Sequence, residues 1–471
     1  MSTQYNAKTI LFSLIIVAFA GMFSETSLNI AITNLMEIFD IKASTAQWLT
    51  TGYLLTLGIV MPFTGALIQS FSTRKLFFFA ASSLTIGTFI APLSIHFGIL
   101  LFARILQAIG MGIMLPLIFN TVLVIFPVEK RGSAMGTIGL VLSFAPALGP
   151  AISGVLIQYM SWRFIFWLLL PFILIGMFIA YKNLENVTEV NKQPIDIISV
   201  ITSTIGFSGI VYGFGELGAS WTNPIAIGSV IIGLISLIIF IKRQNNPNPL
   251  LNLSVFKYPV YVMALLLVLM NIFVFMSTMI ILPMFLQTGA GLSVFIAGLI
   301  ILPGSIANGT IQLLGGKIFD KYGPKVLIAP GAIIMLIALY IFTQLTPQSS
   351  IISIILTHIL LLAGVAAVWT AAQTHALNQL PSELYAHGSA VLNTALQVTG
   401  AIGTAIAVSV LTSGMNQHLS KVAHPDSLSN VSKAITVGSN HVFILLSIVV
   451  LLGLIMSLFM FKSKTKEAIS K

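Results

Sequence analysis

The sequence predicts an all-α membrane protein of fourteen transmembrane helices, arranged as two six-helix bundles plus an inserted helix pair. Three observations carry that reading. Of 471 residues, 57% are hydrophobic and only 7% charged. Apolar runs of eighteen or more residues recur along the chain, the length that crosses a bilayer as a helix. These runs are apolar throughout rather than alternating, which excludes a membrane β-barrel. Thirdly, with the N-terminus inside and the spans alternating, 17 of the 22 lysines and arginines fall in cytoplasmic segments. That bias matches the positive-inside rule and puts both termini in the cytoplasm. The net charge of +10 is therefore topological and implies no nucleic-acid partner.

The first span, 9–33, follows Lys8 and is apolar except at Ser24-Glu25-Thr26 and Asn29. Lys8, the apolar stretch and Ala18-Phe19-Ala20-Gly21 imitate a signal peptide, but the run continues beyond, so an uncleaved helix is expected. Spans 46–68, 75–95 and 98–126 follow, the last with Arg104 inside it; 132–158 is rich in glycine and proline, and 163–181 closes before Lys182. Spans 195–215 and 223–242 are set apart by the polar linkers Lys182–Gln193 and Lys242–Lys257. The remaining six are 259–286, 292–315, 325–345, 350–378, 387–413 and 440–461. Cysteine is absent, so disulfides and thiolate metal sites are excluded.

An internal repeat supports the division. Gly65, Gln69, Ser72 and Arg74, between the second and third spans, recur as Gly316, Asp320, Gly323 and Lys325, 251 residues on. Parallel halves related by an axis along the membrane normal produce such repeats in transporters. The expected units are 1–182, a six-helix bundle; 183–257, the linkers and inserted helices; and 258–471, a second bundle with a short cytoplasmic tail.

Charge deep in a bilayer is costly and marks functional sites. Glu25 is therefore read as a proton-binding site, the alternative being a hydrogen-bonded structural acid. Arg104 lies about two turns into its span, at a similar depth. A neighbouring cation and desolvation act in opposite directions on a carboxyl's proton affinity, and a carrier needs that balance to change between states. A structural brace binding helix carbonyls is the alternative for Arg104. Glu216, beside Trp221 at the outer end of the seventh span, reads as a solvated helix end or a second proton site. Polar residues inside spans are candidate substrate-binding positions or interhelical glue: Asn29, Gln47, Asn120, Asn271, Asn308, Gln312, Asn393 and Gln397. His358 and His375 lack a paired acid or ligand pattern, and no phosphate-binding loop occurs, so no metal, cofactor or ATP use is expected. In 132–158, Gly139, Ser143, Pro146, Pro150 and Gly154 form a stripe of small residues that allows close helix approach.

Four motifs in order resemble the major facilitator superfamily, and within it the fourteen-helix drug:proton antiporters. They are Ser24-Glu25-Thr26-Ser27-Leu28-Asn29-Ile30-Ala31, the Gly65–Lys75 loop, Arg104-Ile-Leu-Gln107-Ala-Ile-Gly110-Met-Gly112, and Gly139 through Gly149-Pro150-Ala-Ile-Ser153-Gly154. The resemblance covers essentially the whole chain. It implies a non-enzymatic secondary transporter of the bacterial cytoplasmic membrane, exporting amphipathic drugs in exchange for protons by alternating access. It also implies coupling at Glu25 and Arg104, and gating at Gln69, Arg74, Asp320, Lys325, Gly149 and Pro150. Partners would be small amphipathic organic substrates, protons and the lipid bilayer, with the chain a monomer. The alternative is an exporter of one dedicated substrate, such as a lipid, siderophore or peptide. Two departures matter. Gln69 stands where the family usually has an acid that latches the cytoplasmic gate. Relatives often carry aspartate at the place of Ser24, one residue and about 100° of helix away from Glu25.

Overall fold

The computed structural model describes residues 6–187, 196–217, 223–244, 249–422, 424–425 and 427–469, with side chains at a few positions inside helices left out. The described chain is helical throughout: α1 (Ala7–Phe39), the single turn α2 (Ala43–Ala46), α3 (Trp48–Ser70), α4 (Thr73–Ile90), α5 (Phe97–Ile125), α6 (Val128–Tyr159), α7 (Arg163–Asn183), α8 (Ile197–Leu217), α9 (Pro224–Arg243), α10 (Pro259–Met284), α11 (Val294–Tyr322), α12 (Lys325–Phe342), α13 (Ile351–Asn378), α14 (Tyr385–Leu419) and α15 (Leu428–Ile469). Fourteen of these are long, one for each expected span. Thirteen are long and apolar enough to cross a membrane, while α6 has the length but is built largely of small residues.

Local chemistry sets the boundaries. Ser72 and Ser293 cap α4 and α11 by accepting from Lys75 N and Ile296 N. Asn223 caps α9, with Pro224 at its first position, where no amide hydrogen is needed. Gly323, at φ 77°, ends α11 in a conformation that a side chain would strain. Gly65, Gln69, Gly316 and Asp320 lie in the last turns of α3 and α11 rather than in loops. A helix end carries polar residues at the membrane surface as readily as a loop does, so polarity alone does not place the boundary.

In the first half, α1 packs on α5, α6 and α7, α3 on α5, and α4 on α5 and α7. In the last third, α10 packs on α13, α14 and α15, α11 and α12 on α13, and α14 on α15. Two seams join these groups: α6 against α11, and α14 against α3 and α5. Helices α8 and α9 form a close pair, and α8 packs against both α3 and α14. The pair approaches tightly because Gly209 and Gly233 meet backbone to backbone. Where α8 begins and α9 ends, Arg243 forks onto Asp196 at 3.0 Å through Nε and Nη2. Partial burial pushes the Asp196 carboxyl up, but hydrogen bonds from Ser199 and Arg243 outweigh it and hold it below the usual carboxylate range.

Candidate functional site

Helix α5 places Arg104 in the middle of the first bundle, where it is 1% exposed. Its guanidinium takes acceptors from three helices. Nη1 donates to Ser24 O and Oγ, both at 3.1 Å, and to Gln107 Oε1 at 2.9 Å. Nη2 donates to Glu25 O and Nε to Leu49 O, each at 3.4 Å. The Tyr53 ring lies under the cation, 4.2 Å from centroid to Cζ. Gln107 continues the network by donating to Thr88 Oγ1 at 3.0 Å. Ser24, buried at 1%, thus occupies the place beside the arginine and donates its own hydroxyl to Gln107 Oε1. The Glu25 side chain is half-buried one step around α1, and among the described residues no ion pair joins it to Arg104. The geometry displays the bonds of a brace, and Glu25 meets that brace through its backbone.

The two seams hold most of the remaining candidates. Along α6 and α11, Ser143 Oγ donates to Asn308 Oδ1 at 2.9 Å, and Gln312 Nε2 donates to Ser143 Oγ at 2.6 Å and Asn308 Oδ1 at 2.7 Å. Asn308 Nδ2 donates to Leu362 O on α13 at 3.0 Å. Small residues let the backbones close: a Cβ on Gly139 would overlap Gln312 Oε1, and one on Gly316 would overlap Gly132 O. Asp320, near the C-terminal end of α11, accepts from Gly132 N at 2.7 Å, Ser133 N at 2.8 Å and the Ser133 hydroxyl. Its partners are amides near the start of α6, where a helix presents positive potential, not a basic side chain.

The other seam repeats this arrangement with different residues. Gly65 of α3 packs against His387 and Ala390 of α14 as Gly316 packs against Gly132 and Ser133. The sequences agree too, Arg131-Gly132-Ser133-Ala134 recurring as His387-Gly388-Ser389-Ala390. Gln69 donates to Glu383 O at 3.3 Å, whereas Ser389 Oγ, equivalent to the Ser133 hydroxyl, is buried without a protein partner. Arg131, which lies outside the four sequence motifs, crosses between halves to Asn378 Oδ1 at 2.9 Å and Tyr385 OH at 3.1 Å. The four-residue repeat is the signal that could have found it.

Other candidates are dispersed. Arg74 joins α4 to the end of α7 by donating to Tyr181 O at 2.9 Å, and Lys325 is exposed at the start of α12. Gly149 abuts α1, where a Cβ would overlap Thr26 Oγ1. Asn271 donates to Val365 O at 3.2 Å and Asn393 to Ser389 O at 2.8 Å, both bonds inside the C-terminal bundle. Asn120 is buried with Nδ2 lacking a protein partner, and Gln397 is half-buried. Gln47 stands exposed at the start of α3 rather than within it, and Glu216 is half-buried in the last turn of α8. Trp221 and the side chains of Asn29 and Pro150 lie outside the described residues.

The family model described as Major Facilitator Superfamily matches residues 14–404. The chain is 46% identical over 467 residues to the lincomycin resistance protein LmrB of Bacillus subtilis, covering 98% of each. It is 45% identical to the LmrB of Listeria monocytogenes, covering 97% of each. Among solved structures, the human organic anion transporter MFSD10 (TETRAN) matches with a TM-score of 0.67 at 13% identity, covering 95% of this chain and 100% of that one, a likeness of fold. Whole-length relatives and a family match across most of the helices lead to one conclusion: this multi-pass membrane protein belongs to the Major Facilitator Superfamily of transporters.

Proposed function

We propose that the chain is a proton-coupled antiporter that exports amphipathic drugs, lincosamides among them, from the cytoplasm by alternating access. The observation that carries the coupling is a carboxyl midway along α1, half-buried beside the brace that fixes α1 to α5. A group in that position can exchange a proton with an open cavity in one state and be desolvated in the other. The lincosamide assignment rests on identity of 46% across the full length to a lincomycin resistance protein.

In this reading the moving units are 1–182 and 258–471, with 183–257 carrying the inserted pair, and the chain works as a monomer with both termini cytoplasmic. Asp320, Arg131 and Gln69 then close the cytoplasmic side between the units, so the described conformation faces outward. Arg74 and Lys325 hold the loops that bound the gate. Gly149 and Pro150 sit where α6 must stay close to α1. Asn308 and Gln312 hold the midplane, and Asn120, Asn271, Asn393 and Gln397, with Asn29, offer hydrogen bonds to substrate or neighbouring helices. Arg104 fixes the environment of Glu25, and Glu216 is secondary to both.

The test is Glu25→Gln in proteoliposomes. The expected result is loss of uphill drug transport with drug counterflow retained, since counterflow needs the conformational cycle but no net proton movement. Wild-type uphill rates in the variant would refute Glu25 as the carrier.

A further inference from the structure

The two halves repeat more closely at one buried position than the motifs alone reveal. Arg104 is the eighth residue of α5, and His358 is the eighth of α13. The local sequences align as Arg104-Ile105-Leu106 with Gly110 and His358-Ile359-Leu360 with Gly364. The packing agrees: a Cβ on Gly110 would meet Ala80 O at 2.5 Å and Leu84 N at 3.0 Å, and one on Gly364 would meet Gly331 O at 2.6 Å and Met335 N at 3.0 Å. Gly331 and Met335 lie 251 residues after Ala80 and Leu84, the interval that separates Gly65 from Gly316. The same interval relates Tyr53, under the Arg104 cation, to Gly304, which lies directly against the His358 ring. His358 is 0% exposed, and both its ring nitrogens lack protein partners.

We propose that His358 is a second proton-binding site, placed in the C-terminal half where the N-terminal half carries the fixed charge of Arg104. Arg104 shows that a buried cation is held at this position without an ion pair to a carboxylate, by carbonyls of neighbouring helices. An imidazolium has donors on both nitrogens and can bind the equivalent carbonyls of α10 and α11; neutral imidazole has one. Gly304 supplies the room for the ring. Among the described residues of the helices packed against α13, no fixed charge lies at this level. The charged groups of α11 and α12, Lys317, Asp320, Lys321 and Lys325, lie at the cytoplasmic ends, as do Glu129, Lys130 and Arg131 of α6. Tyr261 of α10, His375 of α13, and Tyr385 and His387 of α14 are also at cytoplasmic ends, while Tyr159, Tyr340 and His418 stand at outer ends. Protonation would brace α13 to its neighbours in one state and release them in the other, adding a proton to the one assigned to Glu25.

This inference rests on the antiporter reading, and the experiment separates the two. Proton release on lincomycin binding is measured in detergent for wild type, Glu25→Gln, His358→Gln, His358→Arg and the double variant Glu25→Gln/His358→Gln. Two protons are expected for wild type, one for each single variant and none for the double variant. His358→Arg fixes the brace in both states, so it should lose one proton and lower counterflow. Wild type that binds drug without releasing protons would overturn the antiporter reading itself. Wild type and His358→Gln releasing equal numbers, or Glu25→Gln releasing none, would overturn only the second site. Because Glu25→Gln leaves position 358 intact, the test stands even if His358 variants fail to fold.

Discussion

A buried guanidinium has five N–H donors to satisfy, and Arg104 satisfies its own from carbonyls, a hydroxyl and an amide rather than from a carboxylate. Such a fork is not reproduced by an ammonium, which presents three donors at one point. Arg104→Lys should therefore lower thermal stability and transport sharply, each lost charge-assisted bond being worth about 1.5–3 kcal/mol. Ser24→Ala removes one acceptor and leaves the others, so a loss of about 1 kcal/mol is expected, read as a small drop in melting temperature in detergent. Equal losses in the two variants would mean that Ser24 matters for more than the brace. The sequence located Arg104 and Glu25 at a common depth but not the partner of the arginine. That depends on the rotation of α1, and a helix apolar on nearly every side gives no amphipathic pattern from which to read it.

The contacts proposed as a gate lie at helix ends. Asp320 accepts three hydrogen bonds from the first turns of α6, whereas Gln69 makes one bond to a backbone carbonyl. Asparagine in place of Asp320 would turn an NH2 group toward amide donors and remove the charge that complements the helix terminus. Asp320→Asn should abolish most uphill transport at normal expression, while Gln69→Ala should reduce it less than twofold. Comparable defects would count against this asymmetry. The ion pair between Arg243 and Asp196 is of a different kind, with side chains 33% and 21% exposed. Exposed pairs contribute roughly 0–1 kcal/mol, so Asp196→Asn should leave transport intact. The long apolar runs made the fourteen helices and their order legible. The Asp320 contact was legible only as a repeated motif, because its partners, Gly132 and Ser133, lie 188 and 187 positions away in sequence. Glycine and serine near a helix start look the same whether they face lipid, a neighbour or an acid.

At the scale of the whole molecule, the ends of both seams that carry Asp320 and Gln69 must part if substrate is to enter from the side proposed as cytoplasmic. The contacts that cross between halves at that face run through Asp320, Arg131 and Gln69, and they sit on helix ends and on the short turn before α14. Closing them permanently should therefore stop the cycle in one state. The chain offers a clean way to do so, because it contains no cysteine and introduced thiols react alone. Gln69→Cys with Glu383→Cys, joined by a short bifunctional maleimide, spans the α3–α14 seam where a direct bond of 3.3 Å now exists. The expected result is loss of both uphill export and counterflow, with lincomycin binding from the outer side preserved. Cross-linking with a cleavable reagent and then reducing it should restore counterflow. A third thiol, Ser389→Cys in an otherwise unmodified chain, reports the opposite state, since that residue is buried in the described conformation. Its labelling by a membrane-permeant maleimide should increase when drug is added inside and protons are removed from the coupling sites. Unchanged labelling across those conditions, together with counterflow that survives the cross-link, would show that the α3–α14 seam does not open during transport.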